Sequence, residues 1–447
     1  MILGLWFVEY KKEQRVFITL TENGFEPTQI TILQGQTVTF VSEINSRDFW
    51  PASNEHPSHG LLPEFDPKKP ISSSESWSYR FADIGSWGFH DHLDSSLQGT
   101  ITVYSTSGKH TADCVDRDNT SRQAACWAEE FREHFEKGGL DEMFLAFNQY
   151  LKRDPLFKNN CHDIMHIVGE VAYSEYVQTG IVIDRPETAT CGYGFYHGFI
   201  ETMAAEEGNY TGAKAYCDLV SNSDNFPNKN LAIDAGAACR HGFGHSIFDS
   251  IEGSAWGDAD AMVATGLAEC ENIFNTEENR RSCSTGVFNS LAIALFNNFY
   301  KLAFDKNDPL HSCRIVKDLY KSGCFIETVV HYAALKNLKQ ADALQLIYTT
   351  DPISYPITIE AYTSDQAQWR LPYDYAEFKK LADWCIDTIK DPKLEHYCLR
   401  GIHFGIYKMN DAFTQQAESQ KICDLYSEES VGKDKCEKAI PKILRTQ

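Results

Sequence analysis

Two histidines two residues apart, His90 and His92, close the apolar run GSWGFHDH and are followed by the polar loop LDSSLQ and an alternating segment at 100–104. Side chains two apart on a strand point to the same face, so these two imidazoles make half of a metal site. Three further segments carry histidines at helical ligand spacing. CHDIMHIVGE puts His162, His166 and Glu170 at i, i+4 and i+8, HGFIE puts His197 and Glu201 at i, i+4, and RHGFGHSIFD continues the pattern with His241, His245 and Asp249. Facing helices that project histidine and carboxylate inward are how metal sites in bundles are built, so a second metal ion or a catalytic centre is expected from these residues. A structural expectation competes with it. A recurrent C-x-x-G-x-x-H can use its histidine to tie one hairpin to the next, and Asn289 fills that slot in a later copy. The remaining histidines, among them His331 and His403, read as surface or structural.

Several chemistries have no support in the motifs. There is no C-x-x-C-H for covalent haem, no H-E-x-x-H, no G-x-S-x-G and no phosphate-binding glycine loop. Gly192, Gly194, Gly198, Gly242 and Gly244 are better read as points of close helix packing. The net charge of −22 argues against a nucleic-acid partner, because a phosphate backbone is bound by clusters of Lys and Arg and only isolated short basic runs occur.

The elements that must position these residues fall into two classes. A chain of 447 residues is too long for one core and predicts two or three domains. Residues 15–104 read as all-β: VFITL, QITIL, TVTFV, SWSYRF and GTITV alternate in polarity, with Gly, Pro, Asn and Asp between them. Short strands at this spacing predict a small β-sandwich or barrel. The loop at 45–74 is too long for a plain hairpin and is expected to carry function. Residues 105–113 form a polar linker, and from 114 to 447 the apolar residues recur at three- and four-residue spacing, which predicts an all-α domain with Gly138 and Gly139 between its first two helices. The opening 1–14, with MILGLWFV followed by two lysines, reads as the remnant of a signal peptide or membrane anchor whose start is missing, or equally as an ordinary first strand.

NGFEPTQITILQGQTVTF resembles the first strands of a cupredoxin-like domain, and WGFHDHLDSSLQGTITVY resembles its last strand, metal loop and closing strand. The resemblance covers about residues 15–104 and implies a Greek-key sandwich holding one copper, in the family's usual set of two histidines, a cysteine thiolate and a weak axial methionine. This sequence departs from that set. With His92 on the family's second histidine, Phe89 stands at the thiolate position and Leu97 at the methionine, and the β-domain contains no cysteine. The blue thiolate colour is therefore expected to be absent. His56 and His59 in the loop segment WPASNEHPSHG, with His90 and His92, would give an all-imidazole site suited first to Cu(II) and second to Zn(II).

All fourteen cysteines lie at or after Cys114, which predicts a disulfide framework in an oxidising, extracytoplasmic compartment: periplasmic, secreted or cell-surface. CGYGFYHG, CRHGFGHS, CSTGVFNS and CLRGIHFG align on cysteine, with looser copies at 161 and 324. Each copy is preceded by another cysteine. Successive pairing joins Cys114 with Cys126, Cys161 with Cys191, Cys217 with Cys239, Cys270 with Cys283, Cys313 with Cys324, Cys385 with Cys398 and Cys423 with Cys436. That pattern predicts helical-hairpin repeats, each stapled across its connecting loop.

Three functions are open from the sequence. The first is a copper protein that handles copper or passes electrons, with the helical part docking a redox or other protein partner. The second is a redox metalloenzyme whose helical His/Glu cluster is the active site, and the third is a structural or interaction protein of the cell surface.

Overall fold

The computed structural model describes residues 16–54, 56, 59, 61–104, 120–207, 210–226, 229–411 and 414–441. The expected remnant at 1–14, the linker at 105–113 and Cys114 lie outside the described residues. The chain divides into two compact units with the boundary between Cys126 and Trp127, and the short loop segment at 55–58 groups with the second unit.

The first unit contains β1 (Val16–Thr21), β2 (Gly24–Glu26), β3 (Gln29–Leu33), β4 (Thr37–Ser42), β5 (Pro51–Ser53), β6 (Trp77–Arg80), β7 (Gly85–Asp91) and β8 (Asp94–Tyr104). They form two four-stranded sheets, in the orders β2-β1-β4-β6 and β3-β8-β7-β5. β1 runs parallel to β4 and β3 parallel to β8, while β7 pairs antiparallel with both β8 and β5. Polarity alternation explains which sides face inward: Ile18, Leu20, Val38 and Phe40 of one sheet and Trp87, Phe89, Ile101 and Val103 of the other are buried. The sheets meet through aromatic rings. Phe89 packs on Phe25 and Phe40 at ring-centroid distances of 5.0 and 5.3 Å, and Phe65 fills the space beside Phe40 at 5.6 Å. Burying each such ring contributes about 2–3 kcal/mol.

Among its described residues the second unit is mostly helical. Its helices are α1 (Thr120–Arg153), α2 (Pro155–Thr179), α3 (Gly194–Glu207), α4 (Thr211–Ser221), α5 (Lys229–Asp249), α6 (Ala259–Ile273), α7 (Glu277–Asn297), α8 (His311–Ile315), α9 (Asp318–Leu335), α10 (Gln340–Ile347), α11 (Tyr355–Asp365), α12 (Tyr375–Thr388), α13 (Pro392–Tyr407), α14 (Gln415–Cys423) and α15 (Val431–Ala439). Local sequence sets several of these ends. Asp154 and Asp391 cap α2 and α13, each followed by proline at the first helical position, and Gly180 ends α2 in the left-handed conformation. Gly138 and Gly139 break the helical backbone inside α1 and separate two helical segments.

The longer helices pack in succession, α2 on α3, α3 on α5, then α7, α9, α11 and α13. The succession returns to its start: Lys158 Nζ of α2 donates to Asn410 Oδ1 at 2.7 Å, Asn159 Nδ2 to the Gln368 carbonyl at 2.7 Å, and the Cys191 amide to the Asn410 carbonyl at 3.2 Å. Six disulfides staple the unit among the described residues: 161–191, 217–239, 270–283, 313–324, 385–398 and 423–436. Cys126 is disulfide-bonded as well. Among the described residues no helix is long and apolar enough to cross a membrane.

Glycine decides how closely α2, α3 and α5 approach. A Cβ on Gly198 would stand 2.0 Å from the His166 carbonyl oxygen, one on Gly194 2.4 Å from that of His162, and one on Gly242 2.9 Å from the Cα of His197. Each of these positions lies against the backbone of a histidine on the neighbouring helix, so the missing side chains bring the imidazoles within reach of one another.

Candidate metal centres

In the β unit, His59, His90 and His92 come together. The His59 ring lies 5.2 Å from that of His90 and 4.7 Å from that of His92, and His59 Nε2 is 2.9 Å from His92 Nδ1. Asp66 fixes His59 from behind, accepting from its Nδ1 at 2.6 Å, from the Trp50 indole at 2.8 Å and from the Lys68 amide at 2.6 Å. Burial works against the Asp66 charge, but His59, Lys68 and Trp50 outweigh it and hold the carboxyl well below its ordinary range. His59 itself is held low by burial, so a neutral ring donates through Nδ1 and presents the Nε2 lone pair toward His92. His92 packs on Trp50 at a centroid distance of 4.4 Å, and His90 Nδ1 is 3.3 Å from Asn54 Oδ1.

Asp91, between the two histidines, is buried and pins the end of β7. It accepts from the Trp50 amide at 2.8 Å and pairs with Arg47 at 2.8 Å, while the His92 amide donates to the Trp50 carbonyl at 2.7 Å. Burial pushes its carboxyl up against the pull of Arg47. Phe89, the residue expected at the thiolate position, fills the core between the sheets. His56 belongs to the segment 55–58 that groups with the second unit, so the β unit by itself assembles three of the four expected imidazoles.

In the helical unit the histidines of α2, α3 and α5 form one cluster. Ligand nitrogens of His162, His166 and His197 lie within 4.8 Å of one another. His166 Nε2 is 3.3 Å from His162 Nε2 and 3.1 Å from His197 Nδ1. The His197 ring stacks on His241 at 4.8 Å, and His241 and His245 approach Nε2 to Nε2 at 2.9 Å. Glu201 stands 3.2 Å from His245 Nδ1. Glu170 turns instead to Arg132, at 3.7 Å, and Asp249 accepts from the Tyr300 hydroxyl at 3.0 Å.

Burial governs the charge of this cluster. It pushes His162 down to about 4 and holds His166, His197 and His241 well below the ordinary histidine range, with the neighbouring imidazoles adding to the effect. His245 goes the other way, because Glu201 and Asp249 outweigh its burial. Asp249 is pushed up to about 7 by burial. Neutral imidazoles offer the lone pairs that a metal ion needs at neutral pH. A third grouping, His403 with Cys423 and Cys436, has both sulfurs committed to one disulfide, and His403 Nε2 bonds to the Cys436 carbonyl at 3.2 Å.

Among the groups that orient the rings, Asp66 and Thr285 are ones that sequence reasoning missed. Asp66 lies seven residues after His59, a separation with no periodic meaning in a loop. Thr285, which faces His241 Nδ1 at 2.9 Å, occupies in CSTGVFNS the slot that His241 holds in CRHGFGHS, so the alignment of copies carried a signal for it. Asn289, in the slot of His245, donates to Glu327 at 2.7 Å. No protein-family model matches the chain, and no curated protein matches it.

Proposed function

We propose that the chain is an extracytoplasmic copper protein, and that His59, His90 and His92 hold one Cu(II) ion. In this reading the β unit is a Greek-key, cupredoxin-like domain without the thiolate and thioether ligands, and the helical unit is a disulfide-stapled repeat that docks a partner. The supporting observation is the carboxylate–histidine pair: Asp66 fixes the Nδ1 tautomer of His59 and leaves Nε2 facing His92. Imidazole-only ligation favours Cu(II) over Zn(II) by affinity and supplies no intense thiolate band. The task is copper handling or electron transfer, and the six disulfides accord with an oxidising compartment.

The test is Cu(II) loading of the metal-depleted full chain, read by electron paramagnetic resonance and absorption. The expected result is a nitrogen-ligated Cu(II) signal of one ion per chain that His90→Asn with His92→Asn removes, whatever copper the helical histidines retain. An intense blue band, or copper signals unchanged in that double variant, overturns the assignment. A second reading, a redox metalloenzyme with its active centre in the helical unit, is favoured by the clustering of His162, His166 and His197. Two metals per chain, with turnover lost on changing the helical histidines alone, would favour it.

A further inference from the structure

The tautomers of the helical cluster can be assigned from its hydrogen bonds. His162 Nδ1 faces the Cys191 carbonyl at 2.8 Å, and a carbonyl only accepts, so Nδ1 carries the proton and Nε2 the lone pair. The Thr285 hydroxyl donates to the Ser282 carbonyl at 2.8 Å, so toward His241 it accepts, and His241 also carries its proton on Nδ1. His245 Nδ1 lies 3.2 Å from the Glu201 carboxylate, an ion-pair distance. Two imidazoles are thus hydrogen-bonded from behind by a carbonyl and a hydroxyl, and a third faces a carboxylate, the arrangement that orients metal-bound histidines.

The consequence is that the Nε2 lone pairs of His162 and His241 are directed at neighbouring imidazole nitrogens. His241 Nε2 and His245 Nε2 stand 2.9 Å apart, and His162 Nε2 is 3.3 Å from His166 Nε2, which also meets His197 Nδ1 at 3.1 Å. Ring nitrogens at such distances need a proton or a metal cation between them. An ion about 2.0–2.1 Å from each nitrogen would subtend roughly 90° across the first pair and roughly 105° across the second, both within the range of first-row metal coordination. A shared proton can serve the His241–His245 pair. It serves the other group poorly, because one ring nitrogen of His166 meets two neighbours while its Nδ1 has no hydrogen-bond partner among the described residues.

We propose that the helical unit holds two divalent metal ions in adjoining positions, one among His162 Nε2, His166 Nε2 and His197 Nδ1, the other between His241 Nε2 and His245 Nε2. The first position has three imidazoles and room for an exogenous ligand, the ligand count of a reactive rather than a closed site. The second has two imidazoles and is the weaker. Imidazole-only donors place both in the Zn(II) and Cu(II) class. The inference stands on residues other than those of the sandwich copper site, so either can fail alone.

The experiment uses the full chain carrying His90→Asn and His92→Asn, metal-depleted and then equilibrated with Zn(II), with bound zinc counted by elemental analysis after dialysis. Two ions per chain are expected. Adding His162→Asn should leave one weakly held ion, adding His245→Asn one tightly held ion, and adding both none. Glu201→Gln and Thr285→Val, which keep the ligands and alter only their support, should weaken the second position roughly 10- to 100-fold without changing the tight one. Far-ultraviolet circular dichroism checks that each variant is folded. No zinc bound by the sandwich variant overturns the proposal. A single ion abolished equally by His162→Asn and His245→Asn, or affinities unmoved by Glu201→Gln and Thr285→Val, overturns the second position.

Discussion

The two histidine centres differ in how their rings are brought together. In the β unit the imidazoles sit on a strand end and its covering loop, and one buried carboxylate, Asp66, anchors one ring while Asp91 pins the strand beneath the other two. In the helical unit the rings come from α2, α3 and α5, and three of them have their own support: the Cys191 carbonyl, Thr285 and Glu201. A strand end and a loop assemble the first centre, and the packing of three helices the second. The helical centre should therefore be the more sensitive of the two to changes in packing, while each depends on the groups that orient its rings.

The largest expected effect tests the helical side of that contrast. Gly198→Ala sets a methyl 2.0 Å from the His166 carbonyl oxygen, so α3 must move off α2. A loss of about 3 kcal/mol is expected from overpacking, with zinc uptake by the helical centre lost and copper uptake by the β unit kept, as chemical denaturation and metal analysis would show. If the helical centre still binds, glycine contact is not what assembles it.

A comparable effect comes from acid. Burial holds His403 down to about 4, outweighing its bond to the Cys436 carbonyl, whereas the unfolded chain has the ordinary value near 6.5. The folded pKa is depressed, so the unfolded state binds more protons between these values. The contribution is fully present above about 6.5 and is lost as pH falls toward 4. It amounts to roughly 3 kcal/mol across that window. Unfolding midpoints measured from pH 7 to pH 4 should fall, and His403→Gln should flatten the slope without altering metal content. An unchanged slope would assign the acid sensitivity to the metal centres themselves.

The smallest expected effect is at the β anchor. Asp66→Asn removes the charge that fixes His59, and copper affinity should drop about 10- to 100-fold, while zinc binding in the helical unit stays as it was. A β centre indifferent to this change would rank Asp66 as support for Trp50 and Lys68 alone.

Much of the architecture was legible locally. Strand alternation placed Ile18, Leu20, Val38 and Phe40 on an inner face because the pleat repeats every two residues. The helical spacing put His162 with His166 and His241 with His245 on common faces, and in the structure their rings lie 5.0 and 4.8 Å apart. Other features were out of reach. Asp66 and Asn54 act across loops whose path no periodicity specifies, and Glu170, on the same helical face as His166, is drawn to Arg132 of another helix. The division of the loop at 55–58 from its flanking residues likewise depends on packing rather than on local propensity.

The sequence by itself determined the raw materials: strands in the first hundred residues, helices after them, cysteines set close enough along the chain to pair with their neighbours, and histidines repeated on helix faces beside small residues. These are short-range properties, fixed by side-chain period, loop length and the conformational freedom of glycine. The tertiary structure alone decided which faces meet. Only when α3 lies between α2 and α5 does His197 reach both His166 and His241, and only the folded surroundings choose the ring nitrogen that carries each proton. That choice depends on donors and acceptors far apart in the chain, and it turns a set of histidines into a set of directed lone pairs.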